Sequence, residues 1–448
     1  MNITTFFNED VCNYASYDNY RKIASVVDGL KPSSRKCLYT VMKNNVSSPK
    51  KVSILKSDVA AQTQYLHGDQ SLEGVVVTLA QNFPGTNNIP LLKREGSFGT
   101  RLVPAAAAGR YIFTCKEDYL DKIFKKDDEA VLIQQTFEGE TIEPKFYVPV
   151  IPMLVVNGSI GLTTGFTQKI LPRNPKDLIK YIEAKISKKP LPKLTPWFKG
   201  FEGDIKESAE KGEGTWLIFG KIKKISSNEL EISEIPINYT LETYTEVLDK
   251  LEEEKQIKDY KDLSDDGKFK FIVRLFRTGQ GISASDTDLL NKFKLVTSVT
   301  ENYTSFDENN KINEFSTIYE LIDYYYNIRL KFYKLRKDWL IDDLTKKIIE
   351  NVSKFTFVSK VISNELVIAK KSDEDIAKQM MKFDKIIQLN GSYDYLLSMP
   401  MKMMTKTYLE KMKQLLLELK TKLDAVKKTS PEELWQKDLD EFKKEFFK

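Results

Sequence analysis

Apolar residues recur at helical spacing in short stretches near the start of the chain. In RKIASVVDG they fall at Ile23, Val26 and Val27, which predicts a helix beginning at residue 21. GLKP breaks that helix. SSRKCLYTVMKNN restarts the pattern up to residue 45, with Ser33 or Ser34 as N-cap. Residues 50–66 and 70–83 read as two further helices meeting at LHGDQS, where Gly68 interrupts the chain and Asp69 can cap the second. Short helices joined by a tight turn make a helix-turn-helix pattern. Over residues 84–114 the character changes. FPGTNNIPLL, GSFGT and AAAAGRYIFT alternate Gly-rich loops with short β-prone runs, as the wing of a winged helix does.

Residues 145–166 (FYVPVIPMLVVNGSIGLTTGF) are apolar and β-branched, LPRNP punctuates, and KDLIKYIEAKI is a helix. Residues 196–305 read as α+β. Strands are expected around WFKGFEGDI, TWLIFGKI, LEISEIP and FKFIVRLF, with a helix near TLETYTEVLDKLEEE. From Ile318 apolar residues recur every three to four positions for some forty residues without Pro or Gly, longer than an ordinary globular helix and suggestive of a coiled-coil arm. A second long stretch, TKTYLEKMKQLLLELKTKLDAVKK, follows a turn near GSYDYLLSMP. The two imply an antiparallel hairpin with a small domain at its tip.

Composition narrows the chemistry. The chain has 448 residues, 41% hydrophobic and 30% charged, enough for a core and for more than one domain. No run reaches the roughly 18 apolar residues of a membrane span, and MNITTFFNED lacks the basic and apolar regions of a secretory signal. The expectation is a cytoplasmic protein with no membrane partner. Cys12, Cys37 and Cys115 lie far apart and offer neither a disulfide framework nor a CxxC zinc pair. His67 is the single histidine, which removes ordinary zinc sites and leaves Tyr, Lys, Arg, Asp and Glu as the main candidate catalysts. Residues 1–110 hold thirteen Lys and Arg against eight Asp and Glu, so this quarter carries the whole net charge of +5. That local excess suits a polyanion such as double-stranded DNA; a lysine-rich solvated surface is the alternative.

At DGLKPSSRK, YLHGDQSL, GSFGTR, AGRYIFT and VNGSIGLTTGF the sequence resembles the breakage-reunion region of type IIA DNA topoisomerases, with the motifs in the family's order. ISEIP, YDYLLSMP and TSPEELWQKDLDEF continue the likeness, which covers essentially the whole chain. The later motifs look like eukaryotic and large-virus enzymes, whereas the length and Met start look like the separate breakage-reunion subunit of phage-type enzymes. The resemblance implies an α+β multidomain fold: a winged-helix domain with the catalytic tyrosine over 1–148, an α/β tower domain over 149–316, and a coiled-coil arm with a C-terminal dimerisation gate over 317–448.

The resemblance also implies roles. Tyr111 in GRYIFT matches the nucleophile that would form a phosphotyrosyl ester. One phosphodiester replaces another, so resealing needs no nucleotide energy. A phenol is a poor nucleophile near pH 7 unless its oxyanion is stabilised, and Arg110 is the adjacent cation. Without the collinear motifs, Tyr111 would read as one strand aromatic among 21 tyrosines. His67 matches a histidine near the broken backbone; Leu66 stands where family members often carry a second. Lys31 and Arg35 match basic residues near the scissile phosphate, with Ser33 in place of the family's usual Gly. Lys36, Lys50, Lys51 and Lys56 are expected phosphate contacts, or else solvated lysines, and Arg101 is expected to face DNA. Leu162 corresponds to an intercalating isoleucine, an apolar wedge that unstacks a base step, and Thr163-Thr164-Gly165 departs from the commoner GTG.

No metal site is expected in this chain. SDDG at 264–267 and SDED at 372–375 read as solvated loops, so Mg2+ would be held by the TOPRIM domain of a partner and ATP by its ATPase domain. Cutting both strands needs two copies of Tyr111, hence a homodimer held through an apolar contact around residues 360–400 while the DNA is open. The expected enzyme is an ATP-hydrolysing type II topoisomerase. The absence of a β-propeller favours relaxation and decatenation. Two other readings stand: the core of a longer single-chain topoisomerase II, and a non-catalytic DNA-architectural dimer.

Overall fold

The computed structural model of the protein describes residues 2–210, 212–276, 285–368 and 371–448. The chain divides into two compact units, Met1–Arg329 with Gln436–Lys448, and Leu330–Trp435. The boundary expected at 148/149 falls inside the first unit, and residues 317–329 and 436–448, expected in the arm, also belong to it.

In the first unit the opening helix lies upstream of the expected one. Helix α1 runs Cys12–Lys22 and stops where Ile23 turns extended, at φ −93 and ψ 128. Ile23, Val26 and Val27 are each 1% exposed, but on a loop rather than a helix face. Side chains replace the helical backbone partners there. The Gln168 amide accepts the Ala24 N–H (3.0 Å) and donates to the Ala24 carbonyl (3.2 Å). The Asp28 carboxylate accepts the N–H groups of Leu30 (3.0 Å) and Tyr147 (3.1 Å). With its polar groups satisfied, the segment can be buried on all sides. Gly29 is needed at its end: φ is +70, and a Cβ would lie 2.3 Å from the Leu154 nitrogen.

Three helices follow as expected: α2 Pro32–Lys43, α3 Val52–Thr63 and α4 Asp69–Ala80. Pro32 starts α2 at a position where a missing N–H costs nothing, and Gln64 ends α3 in the left-handed region at φ 50. Each helix buries an i, i+3, i+4-type stripe: Cys37, Leu38 and Val41; Val52, Leu55 and Val59; Leu72, Val76 and Leu79. The stripes face one another, since α2, α3 and α4 pack mutually. Burying a Val or Leu of this kind is worth about 1.5–3 kcal/mol before entropy. Just before α3, Lys50–Lys51 pairs antiparallel with Phe113–Thr114, and Phe113 also bridges Glu95.

Residues 145–157 are mostly irregular, with one short helix, Met153–Asn157, before a strand at Ser159–Leu162. That strand forms a hairpin with Thr167–Ile170 and is the edge of a four-stranded antiparallel sheet continued by Asn302–Phe306 and Ile312–Phe315. The region between is α+β, as its alternating pattern predicts. One sheet is ordered Val296–Thr300, Thr215–Phe219, Asp204–Glu207. Another is ordered Asp259–Asp262, Phe271–Arg274, Glu229–Glu234, Lys221–Lys224. Helix Leu241–Glu253 covers the latter through Tyr244, Leu248 and Leu251.

The helix Ile318–Ile362 begins in the first unit and continues into the second. Within the second unit it lies antiparallel to Lys406–Lys428. Lys337 Nζ donates to the Lys427 carbonyl at 3.1 Å, whereas at the other end Val361 and Leu409 join one cluster built on Phe357, Leu366, Ile376, Met380 and Leu396. No described helix is long and apolar enough to cross a membrane.

Candidate active site

Tyr111 sits on a tight turn whose backbone is fixed from two sides. Its N–H donates to the Ala108 carbonyl (2.9 Å). The turn is stitched to the start of α3 by the Val52 N–H on the Ile112 carbonyl (3.1 Å) and the Ser53 N–H on the Gly109 carbonyl (3.0 Å). From α4, Glu73 Oε1 accepts the Gly109 N–H at 2.7 Å. On this fixed base the Tyr111 side chain is 66% exposed, while Ile112 beside it is 1% exposed. The Arg110 guanidinium lies 4.7 Å from the centre of the Tyr111 ring and is exposed with it. The arrangement presents a phenol and a cation together to solvent, without requiring either to be desolvated.

His67 lies just before α4, half-buried at the mouth of a cavity of about 420 Å3 lined by Tyr17, Lys36, Tyr65, Phe137 and Glu143 among others. The Tyr17 hydroxyl is 2.6 Å from His67 Nε2, and the Tyr65 ring meets the imidazole edge-on at 5.2 Å. Burial, with Arg21 and Lys36 nearby, pushes the imidazole pKa below its usual value, so the neutral ring is favoured. Helix α4 therefore links the His67 end of the site to the Glu73 brace under Tyr111.

Leu162 is 67% exposed on the hairpin 159–170, and Ile160, two residues earlier on the same strand face, is 61% exposed. The hairpin is pinned close behind them. Lys31 Nζ donates to the Ile160 carbonyl (2.8 Å), and a Cβ on Gly161 would lie 2.4 Å from the Lys22 carbonyl oxygen. The Thr164 N–H and hydroxyl donate to Asp18 Oδ2 at 3.1 and 3.4 Å. Thr164, where the family pattern differs, thus ties the hairpin tip to α1.

The expected cations divide. Two need correction. Arg35 is 4% exposed, its Nε 2.7 Å and Nη2 3.1 Å from the Asp28 carboxylate, with a further bond to the Leu30 carbonyl (3.2 Å). Arg101 is 6% exposed, donates to the carbonyls of Ile235 (3.1 Å) and Ile237 (3.3 Å), and stacks on Phe269. Neither guanidinium is placed to touch a phosphate at the surface. Each ties loops together, because a buried guanidinium must spend its donors internally. Lys36 pairs with Glu143 (2.8 Å) and bonds the Thr63 carbonyl, Lys50 pairs with Asp58, and Lys56 with Glu73 (3.0 Å). Lys51 is exposed over the Phe113 ring, and Lys31 is half-buried against the hairpin.

Sequence reasoning missed Tyr17, Asp18, Glu73 and Ile160. Only Ile160 carried a signal, since strand alternation places it on the face of Leu162. The others act through contacts across 36 to 146 positions of chain, which no local pattern announces. Among the described residues no group of three or more His, Cys, Asp or Glu could hold a metal ion, and Glu73, the carboxylate braced beneath Tyr111, is already committed to Gly109 and Lys56.

A mixed α/β body presenting an exposed tyrosine–arginine pair on a braced turn, beside an exposed apolar hairpin, defines a nucleic-acid-cleaving class of protein, and comparison gives the family. Residues 21–440 match the family described by the A-type polypeptide of DNA gyrase/topoisomerase IV. The mitochondrial DNA topoisomerase 2 of Dictyostelium discoideum is 34% identical over 98% of this chain and 35% of its own length. The DNA topoisomerase 2 of Invertebrate iridescent virus 6 is 31% identical over 98% of this chain and 38% of its own. The crystal structure of the Plasmodium falciparum topoisomerase II DNA-binding, cleavage and re-ligation domain superposes with a TM-score of 0.89 at 33% identity, covering 99% of this chain and 64% of that one. The chain belongs to this DNA gyrase/topoisomerase IV family and is a type IIA breakage-reunion region. It spans about a third of the length of the curated relatives it matches.

Proposed function

We propose that this chain makes transient double-strand breaks in DNA through 5′-phosphotyrosyl links, as part of an ATP-dependent strand-passing topoisomerase. The Tyr111 oxygen attacks a backbone phosphorus, the phosphorus–O3′ bond breaks, and the 3′ hydroxyl leaves; reversal reseals the strand. Arg110 attracts the phosphate and offsets charge developing around it. His67, kept neutral, orients the phosphate through a ring nitrogen. Lys51 and Lys31 contact backbone phosphates, and Leu162, with Ile160 beside it, wedges a base step open. In this reading α2–α4 and the following loops are a winged helix, the α+β region is the tower, and the two long helices are the arm. The apolar cluster around Phe357 and Leu396 supports the gate through which two copies of the chain pair.

The residues of this chain do not fit a magnesium site near Tyr111, so no step is assigned to a metal held here. Mg2+ and ATP belong, in this proposal, to TOPRIM and ATPase domains. The relatives carry about twice as much additional sequence as the matched region in one chain, which favours a continuous polypeptide over a separate partner protein.

The observation that carries the proposal is an exposed Tyr111 on a turn otherwise locked by backbone hydrogen bonds. Covalent trapping on duplex DNA, with the chain joined to TOPRIM and ATPase domains, tests it. Denaturation should leave protein attached to 5′ ends, and Tyr111→Phe should abolish the adduct. An adduct persisting in Tyr111→Phe would refute the proposal.

A further inference from the structure

The turn bearing Arg110 and Tyr111 has a brace that plays no part in the chemistry above. Gly109, its first residue, is held on both polar groups: its carbonyl accepts the Ser53 N–H (3.0 Å) and its N–H donates to Glu73 Oε1 (2.7 Å). The second bond comes from a side chain one helix away, and that side chain is itself held, with Lys56 Nζ 3.0 Å from Glu73 Oε2. The fit is close. A Cβ built on Gly109 would lie 2.6 Å from the Glu73 carboxyl carbon and 2.7 Å from Oε1. Gly109 has no left-handed φ, so glycine is required for the approach of the carboxylate and not for backbone conformation. The Gly109 N–H and Lys56 hold the Glu73 carboxyl below the usual carboxylate range, which keeps it an acceptor near neutral pH.

We propose that Glu73 is a positioning residue for the nucleophile: its carboxylate, oriented by Lys56, fixes the Gly109 amide and thereby the direction in which Arg110 and Tyr111 leave the turn. The inference rests on Tyr111 being the nucleophile. A carboxylate beside a phosphate-binding site is otherwise a poor choice, since it repels the substrate. Neutralised by Lys56 and bonded to the backbone, it serves geometry instead. Small displacements of a reacting group, about 1 Å, can cost up to a hundredfold in rate.

Single-turnover cleavage of a duplex tests this, with the chain joined to TOPRIM and ATPase domains. Glu73→Ala should slow adduct formation about tenfold or more at saturating DNA, with little change in DNA affinity. Glu73→Gln, which keeps a carboxamide oxygen for the Gly109 N–H, should recover most of that loss. Gly109→Ala should resemble Glu73→Ala, and the double variant should be no slower than either single one, because both remove the same contact. Urea midpoints are measured alongside, so that a rate loss explained by unfolding is recognised. Glu73→Ala cleaving at the wild-type rate, Gln performing no better than Ala, or additive losses in the double variant would each overturn the inference. An adduct surviving in Tyr111→Phe would instead overturn the functional reading on which it rests.

Discussion

The exposed tips and the buried arginines of the first unit put opposite demands on their side chains. Tyr111, Leu162 and Ile160 are 61–67% exposed, and backbone and neighbouring residues do the holding. Arg35 and Arg101 are 4% and 6% exposed, and their own guanidinium groups do the holding, of Asp28 in one case and of the 235–237 carbonyls in the other. All five lie in or beside motifs shared with the family. A functional motif therefore mixes residues that meet the substrate with residues that build the surface, and burial separates them where residue type does not. Stability should be insensitive to the tips and sensitive to the arginines, while cleavage should respond to the tips.

The largest contrast is at Tyr111. Tyr111→Phe should remove covalent cleavage altogether yet change unfolding free energy by less than about 0.5 kcal/mol, since only an exposed hydroxyl is lost. A urea titration beside the trapping assay checks both halves. Next is Arg35→Ala. It leaves the Asp28 carboxylate, 0% exposed, without its cation, and breaking a buried pair in this way costs about 3–5 kcal/mol. Asp28 also accepts backbone N–H groups from Leu30 and Tyr147, so the loop 23–31 should loosen. Adding Asp28→Asn should recover part of the loss. If Arg35→Ala unfolds at the wild-type midpoint and mainly weakens DNA binding, the distinction between tip and scaffold is wrong at this residue.

A smaller effect is expected at Leu162. Leu162→Ala should lower single-turnover cleavage about tenfold through poorer unstacking of the base step, whose cost is a few kcal/mol, with stability unchanged within about 0.5 kcal/mol. Ile160→Ala should have the same sign and a smaller size. Measuring DNA bending by energy transfer between labelled ends separates the wedge from a simple binding surface: equal bending by wild type and Leu162→Ala would remove the wedge assignment.

Much of this organisation is legible in the sequence where periodicity has one buried side to report. The stripes of α2, α3 and α4, the α+β middle and the two long helices all follow their patterns. The loop at Ile23–Val27 imitates a helix because its apolar residues are buried on every side and its backbone is satisfied by Gln168, from far along the chain, and by Asp28. The motif residues Tyr111 and Leu162 are found by resemblance, but their surroundings are not. Whether a cation in a motif faces solvent depends on a carboxylate that can be near in sequence, as Asp28 is to Arg35, or distant, as Glu234 is to Arg101. Charge counting over residues 1–110 cannot see that Lys36, Lys50 and Lys56 each already have an acidic partner.

The finest effect concerns His67, which sits between the two classes: half-buried, with Tyr17 on one ring nitrogen. Because it is the only histidine, its imidazole signals in an NMR titration are unambiguous. Burial first, then Arg21 and Lys36, lower its pKa in the folded protein, so the titration midpoint should fall below the usual value of about 6.5. The sign for stability follows. The unfolded chain binds the proton more readily than the folded one, so the His67 contribution is fully present above the unfolded pKa and is lost as pH falls through it and toward the lower folded value. Arg21→Gln removes one of the exposed cations and should raise the midpoint without altering the fold. A midpoint at or above 6.5, or one unmoved by Arg21→Gln, would show that the imidazole is not held neutral by these neighbours, and His67 would then belong with the freely exposed tips.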